Sequence, residues 1–157
     1  MHEAQKHNAE ASLLNFLSYR PRSRYEIEQY LKKRGYNQND IDALIGKYQS
    51  MGYINDFEFA AMWIRERMRF KPKGYNGIYS ELRAKGVAKT VIDKAWEEAN
   101  IDESTVAEEL INHHFDKFNK KAMPKAMAFL LRRGFSRSLA YNVVNKFFID
   151  LMDEDKT

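Results

Sequence analysis

The sequence predicts an all-α fold, an elongated array of three tandem three-helix repeats, and three observations lead to it. Gly (7) and Pro (3) are scarce in a chain of 157 residues, whereas sandwiches and barrels need turn residues every ~8–12 positions. Apolar residues recur at helical spacing through most of the chain. One string returns three times, as Leu31-Lys32-Lys33-Arg34-Gly35-Tyr36, Leu82-Arg83-Ala84-Lys85-Gly86-Val87 and Leu130-Leu131-Arg132-Arg133-Gly134-Phe135, with its glycines 51 and then 48 residues apart. The spacing Leu-x-x-[Lys/Arg]-Gly-apolar is that of a Schellman ending, in which the apolar residue after Gly folds back onto Leu. Gly takes the left-handed conformation without a side-chain penalty, and the Lys or Arg before it faces the negative end of the helix dipole. Tyr48-Gln49-Ser50-Met51-Gly52-Tyr53 is a fourth ending of this kind.

Between these stops the periodicity places about nine helices. The first runs near 9–19, with Leu13, Leu14 and Leu17 on one stripe. Arg20-Pro21-Arg22-Ser23 breaks it, and Ser23 with Glu26 forms a capping box for a helix bearing Ile27, Tyr30 and Leu31. The stretch 38–51 carries Ile41, Leu44, Ile45 and Tyr48. Asn55-Asp56 caps a helix with Phe59, Ala60, Trp63, Ile64 and Arg67. After Pro72 and Gly74, 75–85 offers Tyr75, Ile78 and Leu82, and 89–99 offers Val91, Ile92, Ala95 and Trp96. The last three are 103–118, 124–133 starting at Pro124, and 137–151 capped by Ser136. The repeats are therefore 9–52, 53–100 and 101–152. They lie between a flexible N-terminus, 1–8, and an acidic tail, 153–157, expected to fray. A unit of ~50 residues barely buries enough apolar surface to stand alone, so the repeats are expected to stack.

Composition narrows the function. Hydrophobic residues make up 44% and charged residues 31% of the chain, a globular balance. With no Cys there is no disulfide framework, thiol nucleophile or thiolate-held zinc. No apolar run approaches the ~18 residues of a membrane span, and the start lacks the basic and apolar regions of a signal peptide. The expectation is a cytoplasmic, soluble monomer. The formal net charge of +4 sits in the first two repeats: residues 1–52 hold 8 basic and 6 acidic groups, 53–100 hold 9 and 7, and 101–157 hold 9 and 9.

Catalytic motifs are missing. His113-His114 are adjacent on a helix and point about 100° apart, so they cannot chelate one metal, and there is no H-E-x-x-H string, G-x-S-x-G elbow or phosphate-binding loop. Gly74-Tyr75-Asn76-Gly77 matches the G-x-x-G clamp of the KH module, whose α/β fold is absent here. The expectation is a non-enzyme without cofactor or metal. Basic residues, by contrast, recur at matching places. Arg20, Arg22 and Arg24 fill the break of the first repeat. In the second, Arg65, Arg67, Arg69, Lys71 and Lys73 have only Glu66 against them; in the third come Lys117, Lys120, Lys121 and Lys125. The Gly turns add Lys32, Lys33 and Arg34, then Arg83 and Lys85, then Arg132, Arg133 and Arg137. Stacked regularly, they would form a ridge facing a repeating polyanion. Phe70, Tyr75 and Tyr79 interleave with them, as interface aromatics or as a widened core stripe.

The chain also resembles the RecX family of bacterial regulators of the RecA recombinase. The resemblance rests on Ser23-Arg24-Tyr25-Glu26-Ile27, Lys33-Arg34-Gly35-Tyr36, Gly52-Tyr53-Ile54-Asn55-Asp56 with Phe59-Ala60, and Arg67. Lys73-Gly74, Glu81-Leu82 with Lys85-Gly86-Val87, and Leu130 with Arg132-Arg133-Gly134-Phe135-Ser136 complete it, so it spans roughly residues 10–150. It implies tandem three-helix units and a partner, the RecA–single-stranded DNA filament. Bound in the filament's helical groove, such a protein inhibits ATP hydrolysis, strand exchange and filament extension.

On that reading the DNA- or filament-binding residues are Arg24, Arg65, Arg67, Arg69, Lys71, Lys73, Arg83 and Lys85, with Tyr25 and Tyr75 as aromatic contacts. Binding to single-stranded DNA alone would be weak and sequence-independent. Two alternatives stand beside it. A duplex reader could use the helix–turn–helix at 24–51, although its second helix offers only Gln38, Asn39, Lys47 and Gln49 for base contact. A helical scaffold for protein partners would have no DNA affinity at low salt.

Overall fold

The computed structural model describes the backbone of residues 2–154 and the side chains of residues 2–148. Its helices are α1 (His2–Tyr19), α2 (Arg24–Lys33), α3 (Gln38–Ser50), α4 (Asp56–Phe70), α5 (Tyr75–Ala84), α6 (Lys89–Ala99), α7 (Glu103–His114), α8 (Met123–Arg132) and α9 (Arg137–Glu154), with a 3-10 turn at Lys120–Ala122. The described residues contain no strand and no helix long and apolar enough to cross a membrane. The chain divides into two compact units, Met1–Trp63 with Leu82–Ala95 and Ile64–Glu81 with Trp96–Thr157. The dividing lines cut α4, α5 and α6, so the middle helices lend parts to both.

In the first unit α1, α2 and α3 pack on one another around Leu13, Ile27, Leu31, Ile41, Leu44, Ile45 and Ile54. Ser23 makes both halves of the expected capping box with Glu26. Helix α1 starts at His2 rather than near residue 9, so it takes in residues 2–8. Glu3, Ala4, Gln5 and Lys6 are good helix formers that carry no apolar signal. At the start of α4, Asn55 is the cap, accepting the Glu58 N–H at 3.1 Å, while the Asp56 carboxylate accepts the Arg24 backbone N–H at 2.8 Å.

In the second unit α7, α8 and α9 pack around Leu110, Ile111, Leu130, Phe135, Val144 and Phe148. Helix α7 stops at His114, short of the expected residue 118: Phe115 is extended, and Asp116 Oδ1 accepts the Phe118 N–H at 2.9 Å, a local turn that competes with the helix. Pro124 is the second residue of α8 rather than its first. Ser136 caps α9 as expected, accepting the Leu139 N–H at 3.2 Å. Helix α9 continues to Glu154; residues 155–157 of the expected tail lie outside the described residues.

The three repeated strings end their helices as the spacing predicts. The N–H groups of Tyr36, Val87 and Phe135 donate to the carbonyls of Leu31, Leu82 and Leu130 at 3.3, 3.0 and 3.1 Å, and Gly35, Gly86 and Gly134 are left-handed. Two of these turns also build a joint, once in each unit. In the first, Ser23 Oγ donates to the Lys85 carbonyl at 2.7 Å, and a Cβ on Gly86 would fall 2.2 Å from Tyr25 Cβ. In the second, the N–H groups of Gly74 and Asn76 donate to the carbonyls of Arg133 and Gly134 at 2.8 and 3.0 Å. A Gly turn thus meets the first turn of a helix whose dipole suits its carbonyls.

Candidate nucleic-acid interface

The cations singled out from sequence divide between the two units. Arg24, Arg83 and Lys85 belong to the first, as does Tyr25; Arg65, Arg67, Arg69, Lys71 and Lys73 belong to the second, as does Tyr75.

In the first unit the centre of charge is an anion. Glu26 closes the capping box, accepting the Ser23 N–H at 3.2 Å, and its other oxygen accepts from Arg20 at 2.7 Å and faces Lys85 Nζ at 3.5 Å. Lys85 also lies 5.6 Å from the Trp63 ring centre. Arg83 donates to the Val87 carbonyl at 3.2 Å across its own turn. Lys85 and Arg83 therefore spend donors on the fold. The side chain of Arg24 is exposed and makes no ion pair among the described residues. Tyr25 packs on Gly86 yet stays 46% exposed.

The basic break supplies structure as well as charge. Phe16 and Tyr30 stack 3.9 Å apart, Arg22 lies 3.9 Å over Phe16 and donates to its carbonyl at 3.2 Å, and Arg34 lies 4.7 Å over Tyr30. Burial first, and then the charge of Arg20, lowers the pKa of Arg22.

In the second unit a similar anion takes two of the five cations. Arg67 Nε donates to Glu81 at 2.9 Å, and Lys73 Nζ lies 3.2 Å from the other Glu81 oxygen. This corrects the expectation that only Glu66 opposes the run, since Glu81 faces it from α5. Arg65, Arg69 and Lys71 are exposed and make no ion pair among the described residues. Arg69 lies 5.0 Å from the ring of Phe70, which is 70% exposed. Tyr75 has the stripe geometry, half-buried with its ring 5.8 Å from Tyr79 and 5.7 Å from Trp96, and its N–H donates to Glu103 at 2.7 Å.

The G-x-x-G string has a packing role. A Cβ on Gly74 would fall 2.6 Å from the Gly134 oxygen, and one on Gly77 would fall 2.9 Å from the Arg133 oxygen. Sequence reading missed the anions at the centre of each cluster and the presentation of Arg133. Its guanidinium donates to the Pro72 carbonyl at 3.2 Å and lies 4.9 Å over Phe129. The capping box gave a signal for Glu26, but nothing local marked Glu81.

Helix α3 offers a duplex reader little. Gln38 donates to Asp42 at 2.8 Å and Lys47 to Glu10 at 2.8 Å, so two of its four candidate base-contacting groups are engaged. Among the described residues no group of three or more His, Asp or Glu could hold a metal.

Two family models match the chain: the first three-helix domain of RecX over residues 9–47 and the second over 55–95. A regulatory protein RecX of Mycolicibacterium vanbaalenii is 35% identical over 150 residues, covering 87% of this chain and 80% of its relative. One from Listeria monocytogenes is 35% identical over 132 residues, 81% of this chain, which spans about half (49%) of that relative. Among solved structures, RecX from Lactobacillus salivarius superposes with a TM-score of 0.77 at 25% identity, covering 94% of this chain and 99% of the other.

Proposed function

The chain belongs to the RecX family of regulatory proteins, and from that premise we propose that it acts on the RecA–single-stranded DNA filament. Lying in the filament's helical groove, it inhibits ATP hydrolysis, strand exchange and filament growth without chemistry of its own. One observation supports this reading above the others: Arg65, Arg69 and Lys71 stand exposed, with no carboxylate paired to them among the described residues, and Arg69 lies 5.0 Å from the exposed Phe70 ring. Such groups meet phosphates at little desolvation cost. Arg24, in the first unit, is likewise exposed with no ion pair among the described residues. Arg67 and Lys73 in the second unit spend donors on Glu81, and Lys85 and Arg83 in the first spend theirs on Glu26 and the Val87 carbonyl. Tyr25 remains an available aromatic contact, and Tyr75 supports the core.

The test is RecA ATPase on single-stranded DNA with increasing amounts of this protein, comparing the wild type with Arg65→Glu/Arg69→Glu/Lys71→Glu. Half-inhibition by the variant should need about ten-fold more protein or greater, as expected from losing several phosphate contacts, with helicity unchanged. Equal inhibition by the two would defeat the assignment of these residues, and no inhibition by the wild type would defeat the function. The three are preferred to Arg67 and Lys73, whose reversal would set like charge against a half-buried Glu81.

A further inference from the structure

We propose that a groove in the second unit seats one nucleotide of a single strand, its base stacked on Phe70 and its phosphate held by Lys71 and Arg133. The proposal rests on the reading above that this protein meets recombinase-bound single-stranded DNA, and it names where. The groove has a volume of about 480 Å³ and is lined by Phe70, Lys71, Glu109, His113, His114 and Arg133, among others. That volume is in the range of sites for small molecules, roughly 300–1,000 Å³.

Three features carry the assignment. Phe70, at the last residue of α4, keeps 70% of its surface in water, with Arg69 5.0 Å from its ring. Arg133 is held in place by the Pro72 carbonyl and the Phe129 ring. Only one of its five N–H groups is so engaged among the described residues, leaving others for an anion. His114 bonds the Leu110 carbonyl at 2.9 Å through Nδ1; a carbonyl only accepts, so that nitrogen carries the hydrogen and Nε2 is left for a ligand. Among the described lining residues Glu109 is the one carboxylate against Lys71 and Arg133. An acidic peptide would use the cations but gives no reason for the open ring. Base stacking on an aromatic ring is tolerant of sequence.

Fluorescence anisotropy of a labelled oligothymidylate at low salt, with the full chain and no recombinase, tests this. Phe70→Ala should weaken binding about ten-fold, the loss of one stacked base. Phe70→Trp should retain it, with added emission that is quenched by the oligonucleotide. Lys71→Gln should reduce the salt slope by about one. Equal binding by Phe70→Ala and wild type would overturn the proposal, as would a wild type that does not bind the oligonucleotide. If the wild type inhibits the recombinase while Phe70→Ala binds the oligonucleotide normally, the groove is misassigned and the proposed function stands. Phe70-dependent binding without recombinase inhibition would support the groove and sink that function.

Discussion

Gly74 and Gly134 meet backbone to backbone, and the consequence can be measured one residue at a time. A Cβ on Gly74 would lie 2.6 Å from the Gly134 oxygen and 2.8 Å from Phe135 Cα, and main chain cannot swing aside as a side chain can. Gly74→Ala should therefore destabilise the protein by about 1–3 kcal/mol, the usual cost of overpacking. Gly46 is the counter-case, lying exposed inside α3 with nothing within 4 Å of a built Cβ. There Gly46→Ala should stabilise by about 0.5–1 kcal/mol, from backbone entropy alone. Urea midpoints of the two variants should move in opposite directions, and a Gly74→Ala protein as stable as the wild type would refute the account of the joint. The sequence displayed Gly74 and Gly77 plainly but not their reason, because the turn they accommodate lies far along the chain. A G-x-x-G string carries the same letters whether it clamps a phosphate or another main chain.

At the scale of the helix, the first unit is lashed by a carboxylate. Glu10 on α1 accepts from Lys47 at 2.8 Å and from Tyr48 Oη at 2.6 Å, both on α3. These bonds hold the Glu10 carboxyl below its ordinary value of 4.5, with the lysine contributing most, and raise the pKa of Tyr48, mainly through its bond to Glu10. As the pH falls below 4.5, the unfolded chain takes up its proton before the folded one. The clasp's contribution is thus present above that value and is lost as pH falls through the lowered folded pKa. For Tyr48 the sign reverses, and its contribution fades as pH climbs above 10. The urea midpoint should fall more steeply between about pH 5 and 3 in the wild type than in Glu10→Gln; parallel profiles would rule the clasp out. Helix ends were legible because their signals are local: Ser23 with Glu26, Ser136, and Gly after Leu-x-x-[Lys/Arg]. Pairings across helices were not. Arg67 and Lys73 read as free cations because Glu81 sits a helix away, and the polar start of α1 was silent because periodicity registers only apolar residues.

At the scale of the whole chain, the repeat in sequence and the units in space do not share their boundaries. The family models match three-helix domains at 9–47 and 55–95, whereas the compact units divide α4, α5 and α6 between them. Small three-helix units bury too little apolar surface alone, and here the middle one is completed from both sides. Residues 64–81 group with 96–157. Within that unit the start of α5 gives two N–H groups to the Arg133–Gly134 turn, and Tyr75 gives its own to Glu103. Deleting 101–157 removes all three acceptors and the groove wall that carries His113, His114 and Arg133. The remaining 1–100 fragment should lose more helix than the deleted residues account for, with α5 fraying from Tyr75, because a short helix without tertiary packing is marginal in water. Circular dichroism of the fragment should show less helix per residue than the same residues hold in the full chain. Its affinity for oligothymidylate should fall even though Arg65, Arg69 and Lys71 are all still present. Undiminished helicity would mean that the middle helices stand without the third repeat. Undiminished affinity would place the nucleic-acid contact on the first hundred residues alone.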